Sequence, residues 1–283
     1  MIINHNHSAM AARRNLTRAA NNWEKAAEKV SSGLRINRAG DDAAGFAISE
    51  KLKTQSKGLN QAIRNAMDGI SFIQVTDGNM DQMMGILQRM RELAVQAANG
   101  IYVPEDRKLI QVEFSALVGE LDRIKETAQF NKNKMLNGEF SAKGKKPIFF
   151  HVGPNENKGE SQIMKAYINT MSAQAFGLRN GKIAKALTSV SAANQMIGQL
   201  DKAINLVSQQ RAGLGAVYNG LEKTVDGLET SFLNMTGAVS RITDADMAAQ
   251  MIELTKNQVL LQSSTAIVAQ ANFLPQIVLQ LLG

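Results

Sequence analysis

The chain has 283 residues, 44% of them hydrophobic, no cysteine and a formal net charge of +7. The length supports one or two domains with a sizeable core, and the apolar fraction excludes a disordered chain. The lack of cysteine excludes disulfides, thiolate metal sites and thiol catalysis, and it suits a protein exported unfolded. The basic residues mostly alternate with acidic ones, as in Glu24-Lys25 and Glu28-Lys29, with no interleaved aromatic platform. Such charge reads as solvated helix faces rather than a nucleic-acid site. Four prolines and one tryptophan, with abundant Ala, Leu, Met, Gln, Asn, Glu and Lys, favour helix over strand.

The opening Met1-Ile2-Ile3-Asn4-His5-Asn6-His7 has no basic n-region and no apolar h-region, so export by a route other than the general secretory one is expected. Residues Ala9, Ala12, Leu16, Ala20, Trp23, Ala27, Val30 and Leu34 then recur at three- and four-residue steps, which predicts a helix paired with another helix. From Ser31 to Gly45 three glycines mark an irregular connector. Apolar periodicity resumes at Leu59, Ile63, Ala66, Ile70 and Ile73 and continues through Met80, Met84, Leu87, Ala94 and Ala98; Asp77 and Arg91 occupy two positions of this seam. Asn99-Gly100 followed by Pro104 reads as a helix stop and a new start, and a shorter helix runs through Ile110, Phe114, Leu117, Leu121, Ile124 and Ala128.

Between about Gln129 and Lys185 the pattern changes. Asn137-Gly138 is a turn signal, while Ile148–Val152 and Ser161–Ile168 flank a polar loop and predict a β-hairpin covering one end of the helices. Next, Ala193, Ile197, Leu200, Ile204, Val207, Arg211, Leu214, Tyr218, Leu221, Val225, Leu228, Phe232, Met235, Val239 and Ile242 alternate steps of four and three, broken only by Arg211. One continuous helix over Val190–Ile242 would be about 80 Å long at ~1.5 Å per residue. A globule of this chain length has a radius of gyration of only ~19 Å, so a rod is expected.

After Asp244-Ala245-Asp246 a last helix is predicted with the seam Met247, Met251, Leu254, Gln258, Leu261, Thr265, Val268 and Asn272. Two further apolar columns run beside it: Ile252, Val259, Ala266 and Phe273, and Leu260, Ile267 and Leu274. Its only charged side chains are Glu253 and Lys256. A helix apolar on several faces is buried on several sides. One partner helix cannot cover them all, so neighbouring chains are the expected cover. Gln262, Ser263, Ser264, Gln270, Asn272 and Pro275 interrupt this oily segment, and no membrane insertion is expected.

No catalytic, cofactor or metal site is expected. His5 and His7 lack a third ligand, Asp41-Asp42 reads as helix capping and ion pairing with Arg35 or Arg38, and Gly213-Leu214-Gly215 lies inside a heptad helix rather than after a strand. No His-Glu-x-x-His motif occurs. The methionines Met80, Met83, Met84 and Met90 read as core packing.

Several segments together resemble the bacterial flagellins. They are Leu34–Gly45 (LRINRAGDDAAG), Asn65–Ser71 (NAMDGIS), Leu87–Asn99 (LQRMRELAVQAAN), Gln129-Phe130-Asn131, Leu214-Gly215-Ala216-Val217, Ala269–Gln276 (AQANFLPQ) and Val278–Leu282. Within that family, Met1–Asn6 and Phe150-His151-Val152-Gly153 are most similar to the core flagellins of spirochaete periplasmic flagella. Phe273-Leu274 departs from the polar residue and valine that many flagellins carry before the Pro-Gln pair.

The resemblance implies a mainly α fold: a long antiparallel helical coiled coil (D0–D1) with a small β-hairpin region and no large outer domains. In those terms residues 1–45 are the N-terminal D0 helix and connector, 46–130 the N-terminal D1 helices and 131–185 the hairpin region. Residues 186–243 are the C-terminal D1 helix and 244–283 the C-terminal D0 helix. The D0 assembly seam would then be Leu16, Trp23, Val30, Met251, Leu254, Leu261 and Val268. The D1 core seam would be Ile63, Ile70, Leu87, Leu117, Leu121, Ile197, Leu200, Leu214, Leu221 and Leu228. Gln88, Arg89, Leu93 and Glu113 match positions that innate receptors recognise in some flagellins, and they are expected to serve contacts between subunits first.

The implied function is a non-enzymatic subunit of a motility filament, in the periplasm or otherwise extracellular. Its implied partners are copies of itself, an export chaperone, the flagellar type III export apparatus, cap and hook-junction proteins, and filament sheath proteins or sibling flagellins. The alternatives are a hook–filament junction protein, or a soluble coiled-coil adaptor or secreted effector.

Overall fold

The computed structural model describes residues 6–141, 147–156, 161–178 and 187–282, with backbone alone for 274–282. His5 and most of the Met1–Asn6 motif therefore lie outside the described residues, as do the side chains of Val278–Leu282. The elements run in the order α1 (His7–Ser32), α2 (Ala43–Ala98), α3 (Pro104–Thr127), β1 (Gln129–Phe130), β2 (Asn133–Lys134), β3 (Ile148–His151), β4 (Ile163–Ala166), α4 (Val190–Thr243) and α5 (Met247–Leu282). The chain divides into two units, one made of Met1–Ser56 with Leu233–Gly283 and the other of Lys57–Phe232.

Local chemistry sets the helix ends. The Asn6 side chain accepts the Ala9 N–H at 2.9 Å at the start of α1, and Gly33 closes that helix in the left-handed region at φ +71°. α2 begins well before the first apolar repeat at Leu59, because Asp42 Oδ1 accepts the Gly45 N–H at 2.9 Å and caps it. Pro104 opens α3, with Glu105 and Asp106 in its first turn and Lys125 in its last, a charge order that suits the helix dipole. The buried Arg107 guanidinium donates to the Ala97 and Asn99 carbonyls, each at 3.0 Å, and satisfies the free end of α2.

The Lys57–Phe232 unit has a closed core. Met80, Met83, Leu87, Met90, Phe114, Leu121, Leu200, Leu214 and Leu221 from α2, α3 and α4 are fully or almost fully buried in one cluster. Each of the three charges that interrupt its seams is paired across to the facing helix. Arg211 on α4 donates to Asp77 at 2.7 and 3.2 Å and to Asp81 at 2.7 Å on α2, and Arg91 on α2 donates to Asp201 on α4 at 2.7 Å. Residues rising along one helix pair with residues falling along the other, so these bonds mark an antiparallel register. A polar residue placed in an apolar seam specifies such a register.

The β3–β4 hairpin pairs Ile148 with Ala166 and His151 with Ile163. Phe150 on its inner face packs on Phe72 with ring centroids 6.1 Å apart, and Phe130 meets Phe72 edge-on at 5.5 Å. Gly69 admits this contact: a Cβ there would sit 2.8 Å from the Phe150 ring. The Asn65 side chain donates to the His151 carbonyl at 3.1 Å. The short β1–β2 hairpin turns through Asn131 and Lys132, both at positive φ (47° and 67°), as a two-residue hairpin demands. Lys134 and Lys125 flank the Glu126 carboxylate and hold its pKa down at about 2.

In the other unit, α1 packs along α5. The Asn6 side chain donates to the Ala271 carbonyl at 2.9 Å at one end of the pair. At the other, Leu34 and Asp244 form an antiparallel bridge, Arg35 N–H donates to the Thr243 carbonyl at 2.7 Å, and Ala245 N–H donates to the Gly33 carbonyl at 3.0 Å. Asp41 Oδ2 accepts the backbone N–H groups of Asn37 and Arg38, both at 3.1 Å, and these bonds hold its pKa below the ordinary value. The ion pairs expected for Asp41-Asp42 do not form. The Arg38 guanidinium turns to Glu28 at 2.9 Å and that of Arg35 to the Ile242 carbonyl at 2.5 Å, because both aspartates are engaged by backbone donors.

Candidate assembly surfaces

Of the residues the sequence placed in the D1 seam, Leu87, Leu121, Leu200, Leu214 and Leu221 are buried, and Ile63, Ile70, Leu117, Ile197 and Leu228 are half-buried. Of those placed in the D0 seam, Leu16, Val30, Leu254, Leu261 and Val268 are half-buried, while Trp23 (38%) and Met251 (49%) stay exposed. Met247, Gln258, Thr265 and Asn272 are exposed as well.

The covered stripe of α5 runs instead through Gln250, Leu254, Asn257, Leu261, Ser264, Val268 and Ala271, one position away from the expected seam at every second step. On α1, Ala12, Ala19 and Ala26 are covered. The large residues Leu254, Leu261 and Val268 share this stripe as expected, but its most buried positions, Ala12 and Ala26 on α1 and Asn257 and Ala271 on α5, are small or polar. Small side chains let two helices approach closely. The signal was present as two seven-residue periods, Ala12-Ala19-Ala26 and Asn257-Ser264-Ala271, of which the expected seam held only Ala12, because neither series looks oily.

This choice leaves many large apolar side chains outside. Met247, Met251, Ile252, Val259, Leu260, Ile267 and Phe273 on α5 are 43–71% exposed, and Met251, Ile252, Val259 and Leu260 line an open apolar groove. Met10, Trp23 and Leu233 add to the exposed apolar surface of the same unit. An apolar surface running the length of a helix is unlike the scattered single residues of an ordinary soluble face. No described helix is long and apolar enough to cross a membrane.

A second, polar surface lies on α2 and α3. Arg89 bridges Glu113 at 2.9 Å and Glu92 at 3.1 Å, and these carboxylates, Glu113 first, raise its pKa. Gln88 is exposed beside it. Leu93, grouped with these residues from the sequence, is only 2% exposed, so it supports the patch from the core and is not available to a partner. Among the described residues no cluster of three His, Asp or Glu side chains could hold a metal ion.

Comparison with known proteins places these surfaces in context. Residues 3–141 match the bacterial flagellin N-terminal helical region, and residues 197–282 match the bacterial flagellin C-terminal helical region. The chain is 50% identical to flagellin FlaB1 of Treponema pallidum (strain Nichols) and 46% identical to flagellar filament core protein flaB2 of Brachyspira hyodysenteriae, in both cases over 100% of each chain. Among solved structures, a flagellar hook-associated protein from Vibrio parahaemolyticus shares the fold, with a TM-score of 0.58 at 14% identity over 72% of this chain and 100% of that one.

Proposed function

Because this chain belongs to the bacterial flagellins, structural proteins of the flagellar filament and not enzymes, we propose that copies of it join head to tail into a filament core housed in the periplasm. The observation that carries the proposal is the exposed apolar surface of α5, from Met251 to Phe273, left open by a partner helix that covers only the stripe through Leu254, Asn257, Leu261, Ser264, Val268 and Ala271. Fully covering each such Leu, Ile, Val or Phe contributes about 1.5–3 kcal/mol. Ordering the helix costs about 1–2 kcal/mol per residue. The terminal helices therefore gain most of their stability when neighbouring copies cover them.

Head-to-tail contacts do not close on themselves and so generate helical fibres. The periplasmic placement is supported by full-length similarity to spirochaete filament core proteins. The exposed Gln88, Arg89 and Glu113 patch suits a polar contact between copies first, and an innate receptor second. The same bare α5 surface calls for a cytosolic chaperone before export through the flagellar type III apparatus. Cap and hook-junction proteins at the filament ends, and sheath proteins or sibling flagellins alongside, complete the proposed partners.

Seeded elongation of the purified chain, followed by electron microscopy, tests this reading. Long fibres growing from the seeds are expected. A chain that stops at closed dimers under all seeding conditions would contradict it.

A further inference from the structure

The chain carries 14 methionines, and the structure sorts most of them into two environments. In the Lys57–Phe232 unit, Met80, Met83, Met90 and Met135 are 0% exposed, and the Met135 sulfur accepts the Thr76 hydroxyl at 3.0 Å. In the other unit, Met10 (62%), Met247 (43%) and Met251 (49%) stand open on α1 and α5. Met251 lines the apolar groove with Ile252, Val259 and Leu260, and Met247 precedes it by one helical turn.

We propose that Met10, at the Asn6–Ala271 end of the α1–α5 pair, and Met247 and Met251, at its Leu34–Asp244 end, are redox-responsive modification sites at which a hydroperoxide blocks entry of the free subunit into the filament. In each event a thioether lone pair attacks a peroxide oxygen. A sulfur–oxygen bond forms and the oxygen–oxygen bond breaks. The sulfur loses two electrons to become a sulfoxide, and hydrogen peroxide is reduced to one water. A sulfoxide oxygen is a strong hydrogen-bond acceptor. On a surface that assembly dries it has no donor, and an unpaired buried polar group is costly.

The selectivity follows from exposure. The core methionines that hold the Lys57–Phe232 unit together are shielded, so oxidation spoils the assembly surface before the fold. Once a subunit is incorporated its three outer thioethers are covered too, so the device acts on subunits awaiting assembly. Reductases that draw on a dithiol return the sulfoxide to thioether, with the oxygen leaving as water.

This inference rests on the filament reading, and the experiment separates the two. Wild-type chain is treated with hydrogen peroxide until mass spectrometry shows oxygen on Met10, Met247 and Met251, then offered to untreated seeds. The critical concentration for elongation is expected to rise at least about tenfold, equivalent to about 1.4 kcal/mol. Unchanged circular dichroism is expected for the same sample. Treatment with methionine sulfoxide reductases and dithiothreitol restores elongation. The triple variant Met10→Leu, Met247→Leu, Met251→Leu elongates with or without peroxide, although Met67, 48% exposed on α2, is still oxidised.

Oxidised wild-type chain that elongates like untreated chain overturns the inference alone. So does a loss that persists after the sulfoxides have been reduced, or one that appears equally in the triple variant. If that variant fails to elongate even untreated, the wild-type loss and its reversal decide the matter. Untreated wild-type chain that never elongates defeats the filament reading and this inference together.

Discussion

The two units of the chain use their large apolar residues in opposite ways. In Lys57–Phe232, methionines, leucines and phenylalanines from three helices point inward and close a core, and the charged seam residues pair across it. In the unit built from α1 and α5, alanine and asparagine take the most buried positions, Leu254, Leu261 and Val268 are only half-covered, and many large residues face out. The first arrangement belongs to a body that is stable alone. The second belongs to one whose burial is completed by something else. Helical pattern alone does not distinguish them, since both carry apolar residues at three- and four-residue steps; what differs is which residue sizes are covered.

The largest expected contrast sets Phe114→Ala against the pair Ile252→Gln with Phe273→Gln. Phe114 is 0% exposed, and its truncation is expected to cost about 3–5 kcal/mol in urea unfolding of the monomer. The α5 pair, 71% and 61% exposed, should leave monomer stability within about 0.5 kcal/mol. It should nevertheless raise the critical concentration for elongation at least ~100-fold, from the lost burial of two large side chains. A monomer destabilised equally by both changes would erase the distinction between the units.

A second contrast lies within α2. Gly69→Ala is expected to destabilise by about 1 kcal/mol or more, because the new methyl meets the Phe150 ring and overpacking outweighs the helical gain. Gly78→Ala meets nothing within 4 Å and should stabilise the monomer by up to about 1 kcal/mol. Thermal unfolding of the two variants reads the opposite signs.

The register pair offers a smaller effect. Arg211 and Asp77 are 31% and 42% exposed in their side chains, so solvent screens their attraction. A double-mutant cycle of Arg211→Ala with Asp77→Ala should give a coupling of roughly 0.5–1 kcal/mol that shrinks in high salt.

The smallest effect is acid sensitivity. Glu126 has its pKa lowered from 4.5 to about 2, by Lys134 first and then Lys125. Asp41 is lowered from 3.8 by the N–H groups of Arg38 and then Asn37. A depressed carboxylate pKa stabilises the fold above the ordinary value, and that contribution is lost as pH falls through the folded value. Both contributions should therefore be intact at neutral pH and fade from about 4.5 downward for Glu126 and from 3.8 downward for Asp41. Glu126→Gln and Asp41→Asn should each flatten the acid limb of a melting-temperature profile.

The long elements were legible because their chemistry is repetitive. The four-three steps from Ala193 to Ile242 match α4, Asn99-Gly100 and Pro104 match the α2–α3 turn, and Ile148–His151 pairs with Ile163–Ala166 as alternation predicts. What escaped has local causes. The β1–β2 hairpin turns on Asn131-Lys132, where a lysine accepts positive φ in place of the glycine such turns advertise. The start of α2 is set by the Asp42 cap, which carries no periodicity. Half of the α5 stripe was legible in Leu254, Leu261 and Val268; the alternate positions Gln250, Asn257, Ser264 and Ala271 escaped because hydrophobicity there points to Met251 on the outer surface.

Hydrogen exchange of the same chain as monomer and as filament tests most directly whether copies of the molecule complete the terminal helices. Amides of α5 from Met247 to Phe273 should exchange at least ~100-fold more slowly in the filament. Those of Met80 to Leu93 in α2, already enclosed by their own core, should change little. Equal protection of α5 in monomer and filament would contradict the claim that its apolar surface is sheltered only by assembly.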